Sequence, residues 1–378
     1  MLVLSYPHYR MRVFNVLPRL SQATRDFLFT TRRVVYNSTS SFTINFTEFG
    51  DSMSSDQKEQ KTSPVPTNEK GEYKGATTAF RNWITADGEF QPEKSRYHLY
   101  VSLACPWASR TLVTRKLKGL EDTIGVTVVD WLLGEKGWFF SNDKPKTSLD
   151  TVNNCKYMRE IYELASPGYT GRVSVPVLWD KKNRTIVNNE SAEIMRMFNK
   201  EFNAFSATKE QGELDLCPAD LLEDIDEVNS WIYDFINIGV YKCGFATSQE
   251  AYDDAAPKLF AALDRAEEVL SKSRYLCGDR MTEADIRLFT TLVRFDTVYA
   301  HHFKCNKKRI VDYPNLWGFT RDIHQTPGVS ETVDQEHIQK HYQVSHVHIN
   351  PNRIVAIGPD LDFDSPHGSG PADVKFSK

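Results

Sequence analysis

An α/β half followed by an all-α half is the fold class this sequence predicts, and three observations predict it. A β-rich alternating run leads straight into Cys105-Pro106 and a helical stretch, with a second β-rich run behind it. Two further short β-rich runs, joined by a tight turn, lead into another helix. From about residue 218 onward, apolar residues recur every three or four positions, the spacing of one helix face.

Each element has its own local reason. RYHLYVSLA (96–104) alternates and is β-rich, so it reads as a strand. WASRTLVTRKLKG then places Ala108, Leu112 and the Val113/Leu117 pair at helical spacing. Pro106 suits the first helical position and Gly119 the C-terminal cap. IGVTVVDW (124–131) is the next strand, and a helical crossover between two strands implies a parallel pair. After an irregular stretch, VSVPVLWD (173–180) and RTIVNN (184–189) read as a hairpin turning at 180–183. Glu190-Ser191 opens the helix SAEIMRMFNK. The order β-α-β then β-β-α is that of a thioredoxin-like domain. Beyond it, Leu221, Leu222, Ile225, Val228, Ile232 and Phe235 form one helical stripe, and Leu259, Phe260, Leu263, Ala266 and Leu270 another. Thr282 with Asp285 three residues later is a capping-box pattern, followed by Ile286, Phe289 and Val293. Asp285 reads as an acid that holds the fold.

The 378 residues allow about two or three domains. The expected division is a basic leader and polar linker over 1–75, a thioredoxin-like domain over 76–205, an all-helical domain over 206–345 and an extension over 346–378. The linker (51–75) is expected to bury little, with order beginning near Phe80, and the final SPHGSGPADVKFSK to be a loose tail. A composition 40% hydrophobic and 25% charged, with a net charge of −4, excludes a disordered chain and a strongly basic nucleic-acid binder. No window approaches the apolar length of a membrane helix. That charge is an average: six arginines and one acid give residues 1–40 a charge of +5, leaving −9 for the rest. An Arg-rich, Ser/Thr-rich, acid-poor start is the composition of a mitochondrial transit peptide. A plain leader, or a start at Met53 in a cytoplasmic protein, are the alternatives. The six cysteines form no CxxC pair and no zinc signature, and their scatter suits a reducing compartment.

Cys105, at a strand-to-helix junction, is the sharpest chemical feature. Free N–H groups and the macrodipole at a helix N-terminus favour an anion there and so favour thiolate. Ala108 stands where a dithiol motif would hold its second cysteine, so Cys105 is expected to act alone and to be resolved by an external thiol. Val175-Pro176 is the second feature. A cis proline at that point would face the nucleophile, and Val175 could offer backbone groups to a peptide ligand. The third is Glu190-Ser191, where a helix N-terminus and a hydroxyl suit a carboxylate and Glu190 suits an ammonium, the two ends of an amino acid. His337, His341, His346 and His348 lie close together, but without an HExxH motif or an acidic partner they are assigned no metal.

The segments YVSLACPWASR, GRVSVPVLWD, IVNNESAEI, NSWIYDFINIGVYKCGFA, MTEADIRLFTTLVRFDTVYAHHFKCN and HYQVSHVHINP resemble the glutathionyl-hydroquinone reductases, the Xi-class (Omega-like) glutathione transferases. The resemblance runs from about Phe80 to Pro359. It implies a thioredoxin-like domain, a helical domain and a homodimer. It implies glutathione as co-substrate, with aromatic hydroquinone conjugates as partners. By the same resemblance Cys105 is the nucleophile and Trp138 packs on glutathione. Arg172, Val173, Ser174 and Val175, with Pro176, meet the tripeptide backbone and its glycyl end. Glu190 and Ser191 hold the γ-glutamyl group. Tyr241 handles the proton, and Tyr299 and Tyr342 lie near the thiolate. Ser109 and Ile238 depart from the family's usual His and Asn. The implied reaction is reduction of a glutathionyl-hydroquinone through a Cys105–glutathione disulfide. An Omega-like thioltransferase or dehydroascorbate reductase is the alternative, using the same cysteine.

Overall fold

The computed structural model describes residues 5–6, 9–10, 66–75 and 78–368. The expected leader and the last ten residues of the expected tail lie outside them, apart from two short strands, Ser5–Tyr6 and Tyr9–Arg10, that pair with each other. The described residues from 66 onward belong to one compact unit.

Its first half is a four-stranded sheet: β1 (Tyr97–Val101), β2 (Gly125–Val128), β3 (Val177–Asp180) and β4 (Thr185–Asn188), in the order β2-β1-β3-β4. β1 and β2 are parallel, with His98 opposite Gly125. β1 and β3 are antiparallel, as are β3 and β4. Side chains alternate between faces along a strand, and here both faces are covered. Leu99, Val101, Leu178 and Val187 join the core under α1 (Pro106–Leu117) and α3 (Ser191–Lys200). Tyr100, Val177, Trp179 and Ile186 join a second core with α2 (Met158–Ala165).

Helix α2 corrects the expected order, because the stretch read as irregular contains it. Met158, Ile161 and Tyr162 are its buried residues, at the i, i+3, i+4 spacing of one helix face, a pattern only eight residues long and set among loops. The full order is therefore β-α-β-α-β-β-α. Gly119 has φ +60°, as its role just past the end of α1 requires.

The helical half contains α4 (Lys209–Glu213), α5 (Leu222–Ile232), α6 (Gly239–Gly244), α7 (Gln249–Leu270), α8 (Glu283–Arg294), α9 (Pro314–Gln325) and α10 (Gln335–Ser345). Helix α8 is its centre, buried along its length except at Arg287. Asp285 completes the expected capping box and also accepts a hydrogen bond from Leu276 N at 2.8 Å. The stripe expected along α5 is corrected at both ends. Leu222 and Phe235 are exposed, while Trp231 and Ile236 are buried instead. A π-helical turn over Tyr233–Asn237 inserts one residue per turn and shifts the apolar face. A second such turn, Phe295–Tyr299, follows α8.

The expectation for the linker also changes. Residues 66–75 are not a loose linker. Gly71 accepts a hydrogen bond from Thr247 N at 3.1 Å, and Tyr73 packs against Tyr241 and Phe245. The extension beyond α10, of which only 365–378 was expected to be loose, is tied down as far as Ser365. Phe363 stacks on His324, and Gln325 Nε2 donates to the carbonyls of Phe363 and Ser365.

Candidate active site

Cys105 is the N-cap of α1, with extended backbone (φ −75°, ψ 119°), and Pro106 occupies the first turn. Its sulfur donates to the carbonyl of Val175 at 3.5 Å. The Val175–Pro176 bond is cis, the arrangement anticipated opposite the cysteine. Burial pushes the Cys105 thiol up. The amides of Ala108 and Trp107 and the charges of Arg294 and Arg110 oppose it. Burial thus works against the helix N-terminus that was expected to favour the thiolate.

The segment before Pro176 is held by one hydroxyl. Tyr162, from α2, donates to Ser174 O at 3.0 Å and accepts from Ser174 N at 3.2 Å and from Asn189 Nδ2 at 3.1 Å. Arg172 is exposed, and its carbonyl accepts from Tyr169 Oη. Val173 is half-buried at the edge of the α2 core.

Glu190 is the N-cap of α3 and accepts from Ala192 N at 3.2 Å and Thr78 Oγ1 at 3.4 Å. Ser191, the first residue of α3, accepts from Arg110 Nη1 at 3.5 Å. Arg110 Nη2 donates to Asn237 Oδ1 at 2.7 Å, while its Nε has no partner among the described residues. Burial, and the like charge of Arg287, bring this guanidinium down to about 9. A buried, partly unsatisfied cation beside Ser191 suits the carboxylate end of an amino acid.

The helical half supplies three tyrosines. Tyr342 Oη, from α10, lies 2.5 Å from Tyr241 Oη and 3.0 Å from Tyr299 Oη. Tyr241 comes from α6 and Tyr299 ends the π-helical turn after α8. Burial raises all three, Tyr299 to about 12. Cys105 is close enough for its charge to act on Tyr241 and Tyr299. In this state the hydroxyls bond to one another, and among the described residues none bonds to the sulfur. Trp107, next to the cysteine, stacks on Tyr241 at 6.3 Å. Trp138 is buried and stacks on His341 at 4.9 Å. Burial lowers His341 and His302 to about 4. Among the described residues no group of His, Cys, Asp and Glu is placed to hold a metal.

Tyr162, Arg110, Arg294 and Tyr73 escaped sequence reasoning. Arg110 lies two residues beyond Cys105-Pro106-Trp107-Ala108, between Ser109 and Thr111, and nothing in those neighbours marked it as a site residue. Tyr162, Arg294 and Tyr73 had no signal either.

A thioredoxin-like half that presents a cysteine at a helix start, joined to a helical half that presents tyrosines, is the build of a glutathione transferase. Residues 104–201 match the family description "Glutathione S-transferase, N-terminal domain", and residues 249–322 match "Glutathione S-transferase, C-terminal domain". The chain is 56% identical over 314 residues to glutathionyl-hydroquinone reductase YqjG of Escherichia coli K12, covering 81% of this chain and 94% of that protein. The glutathione-bound structure of YqjG superposes with a TM-score of 0.74 at 57% identity, over 77% of this chain and 96% of that one. The glutathione transferase Xi of Phanerochaete chrysosporium superposes with a TM-score of 0.74 at 53% identity, over 76% and 97% of the two chains. The chain belongs to the Xi class of the glutathione transferase family, the group that includes glutathionyl-hydroquinone reductases.

Proposed function

We propose that the protein reduces glutathionyl-hydroquinones to hydroquinones with glutathione as the reductant. The observation that carries this is the nearness of Cys105, at the start of α1, to the Tyr241–Tyr342–Tyr299 cluster of the helical half, with Trp107 stacked on Tyr241 and the Cys105 charge acting on Tyr241 and Tyr299. YqjG, a relative whose match covers 81% of this chain, carries that reductase's name.

The Cys105 thiolate attacks the sulfur of the conjugate. An S–S bond forms, the carbon–sulfur bond breaks, and its electron pair stays on the aromatic carbon. Tyr241 gives that carbon a proton, as a general acid. Burial keeps the tyrosine protonated for the task. A second glutathione then attacks the Cys105–glutathione disulfide, releasing GSSG and restoring the thiol. One conjugate and one glutathione become one hydroquinone and one GSSG.

Glutathione is held in this reading between Arg172–Pro176 and the Glu190–Ser191 helix start, with Trp138 on a third side. Arg110 adds positive charge beside Ser191. Tyr73, Trp107 and Phe245 form an aromatic wall around Tyr241 that suits a hydroquinone ring. The homodimer belongs to the same reading, and exposed Ile354 and Ile357 in the extension supply apolar surface for it. So does a mitochondrial address carried by the basic leader, with a cytoplasmic protein the alternative.

The test is steady-state GSSG formation from a glutathionyl-hydroquinone. Cys105→Ala should be inactive while remaining folded. Wild-type activity confined to dehydroascorbate or simple mixed disulfides would favour the Omega-like reading instead.

A further inference from the structure

Arg294, at the end of α8, is fully buried and reaches across to the strand-to-helix turn of the other half. Its Nε donates to Ala104 O at 2.9 Å, its Nη2 to Leu103 O at 3.0 Å and its Nη1 to Thr290 O at 2.7 Å. Ala104 and Leu103 are the two residues just before Cys105. A guanidinium stays charged in proteins, and this one forms no ion pair among the described residues. Three carbonyl dipoles soften its burial but bring no net negative charge, and a buried unpaired charge is costly. Such a cation invites an anion.

The groups around it narrow the choice. The charge of Arg294 acts on Cys105, on Tyr299, and on Tyr342 and His341 from α10. Cys105 is also faced by Arg110 from its own helix and by Tyr241 from α6. A histidine supplies no anion, and a tyrosine ionises less readily than a thiol. Arg110 is turned toward Ser191 and Asn237, with its guanidinium over the Trp107 ring at 4.5 Å. Cys105 is left as the group that ionises most readily next to Arg294.

We propose that Arg294 is a positioning residue of the reductase reaction, whose fork fixes the Leu103–Ala104 turn and whose charge is the counter-ion of the Cys105 thiolate. The inference rests on the reading of Cys105 as nucleophile. On this inference the helical half supplies, through Arg294, part of what makes the cysteine of the other half reactive. The two duties are separate. The fork sets where the sulfur sits, and the charge sets how readily it ionises.

The experiment is the pH dependence of iodoacetamide alkylation, followed on the Cys105 peptide so that the other five cysteines do not interfere. It is run on wild type, Arg294→Gln and Arg294→Lys, with circular dichroism to check folding. Glutamine keeps a hydrogen-bond donor and removes the charge; lysine keeps the charge and removes the fork. Arg294→Gln should raise the alkylation midpoint by about one pH unit or more. Arg294→Lys should keep it within about half a unit while lowering kcat/KM for the conjugate. A glutamine variant with the wild-type midpoint overturns the proposal, and so does a lysine variant displaced as far as the glutamine one. Should the glutamine variant fail to fold, the lysine variant decides alone. An unmoved midpoint with slower turnover supports the proposal, and a displacement of a full unit overturns it. Full reductase activity in Cys105→Ala would instead remove the reading on which the inference stands.

Discussion

Removing the hydroxyl of Tyr162 is the perturbation with the most legible consequence. Tyr162 is fully buried between α2 and the sheet, and its hydroxyl serves both Ser174 and Asn189. In Tyr162→Phe the ring still fills its space, so packing is kept. What is lost is a partner for Ser174 N, for Ser174 O and for the amide of Asn189, which is 4% exposed. A buried polar group left without a partner costs about 1–3 kcal/mol. Ser174 is only half-buried, and water can serve part of its need. A total near ~2–3 kcal/mol is therefore expected, read as a lower denaturant midpoint at unchanged slope. The same loss frees the segment leading to Val175, so KM for glutathione should rise about tenfold or more, with a smaller change in kcat. Denaturant unfolding and glutathione titration check the two halves separately. A variant with wild-type stability and wild-type KM would refute the reasoning.

Three further outcomes follow from the geometry. His341 is buried, donates from Nδ1 to Trp131 O at 2.7 Å, and is lowered to about 4, below the ordinary histidine value. Its stabilising contribution is present above about pH 6.5 and is lost as pH falls toward 4, by up to about 3 kcal/mol. His341→Gln should accordingly flatten the fall in melting temperature between those limits, and an unchanged slope would contradict this. Asp285→Ala removes acceptors from Thr282 N, Thr282 Oγ1 and Leu276 N, and should cost about 3 kcal/mol or more in denaturant unfolding. Tyr241→Phe should lower kcat for conjugate reduction more than Tyr342→Phe does, because the reading gives Tyr241 the proton transfer. Single-turnover release of hydroquinone compares them, and equal effects would count against that assignment.

The sheet was readable because its strands are short, apolar and bounded by turn residues. β1, β2, β3 and β4 all fall inside the runs chosen by alternation and β content. Helix α1 was readable from Pro106 and Gly119 more than from its stripe, since it is buried on several sides and takes Ser109, Arg110, Thr111 and Thr114 into the interior. Helix α2 was missed because loop chemistry surrounds it. Asp150 alone accepts from Tyr100 Oη and from the amides of Val152, Asn153 and Cys155, contacts that leave no periodic trace. The π-helical turns were invisible for a related reason: one inserted residue looks like a lapse in the stripe.

The candidate site divides in the same way. The local features Cys105-Pro106, Val175-Pro176 and Glu190-Ser191 each carried a signal in adjacent residues. Tyr241, Tyr299 and Tyr342 did not, being far apart in the chain and joined only by tertiary folding. Family resemblance supplied them. Arg294 and Tyr162 were out of reach by either route. Their importance lies in which backbone carbonyls and amides they meet, and no sequence pattern encodes that.

The central claim is that Cys105 carries the glutathionyl group between conjugate and glutathione. The most direct measurement is the mass of the intact protein after one equivalent of glutathionyl-hydroquinone is added with no free glutathione present. The account predicts one glutathionyl group on the protein, mapped to Cys105, together with one equivalent of hydroquinone released. Later addition of glutathione should return the original mass and yield GSSG. Release of hydroquinone with Cys105 unmodified would contradict it.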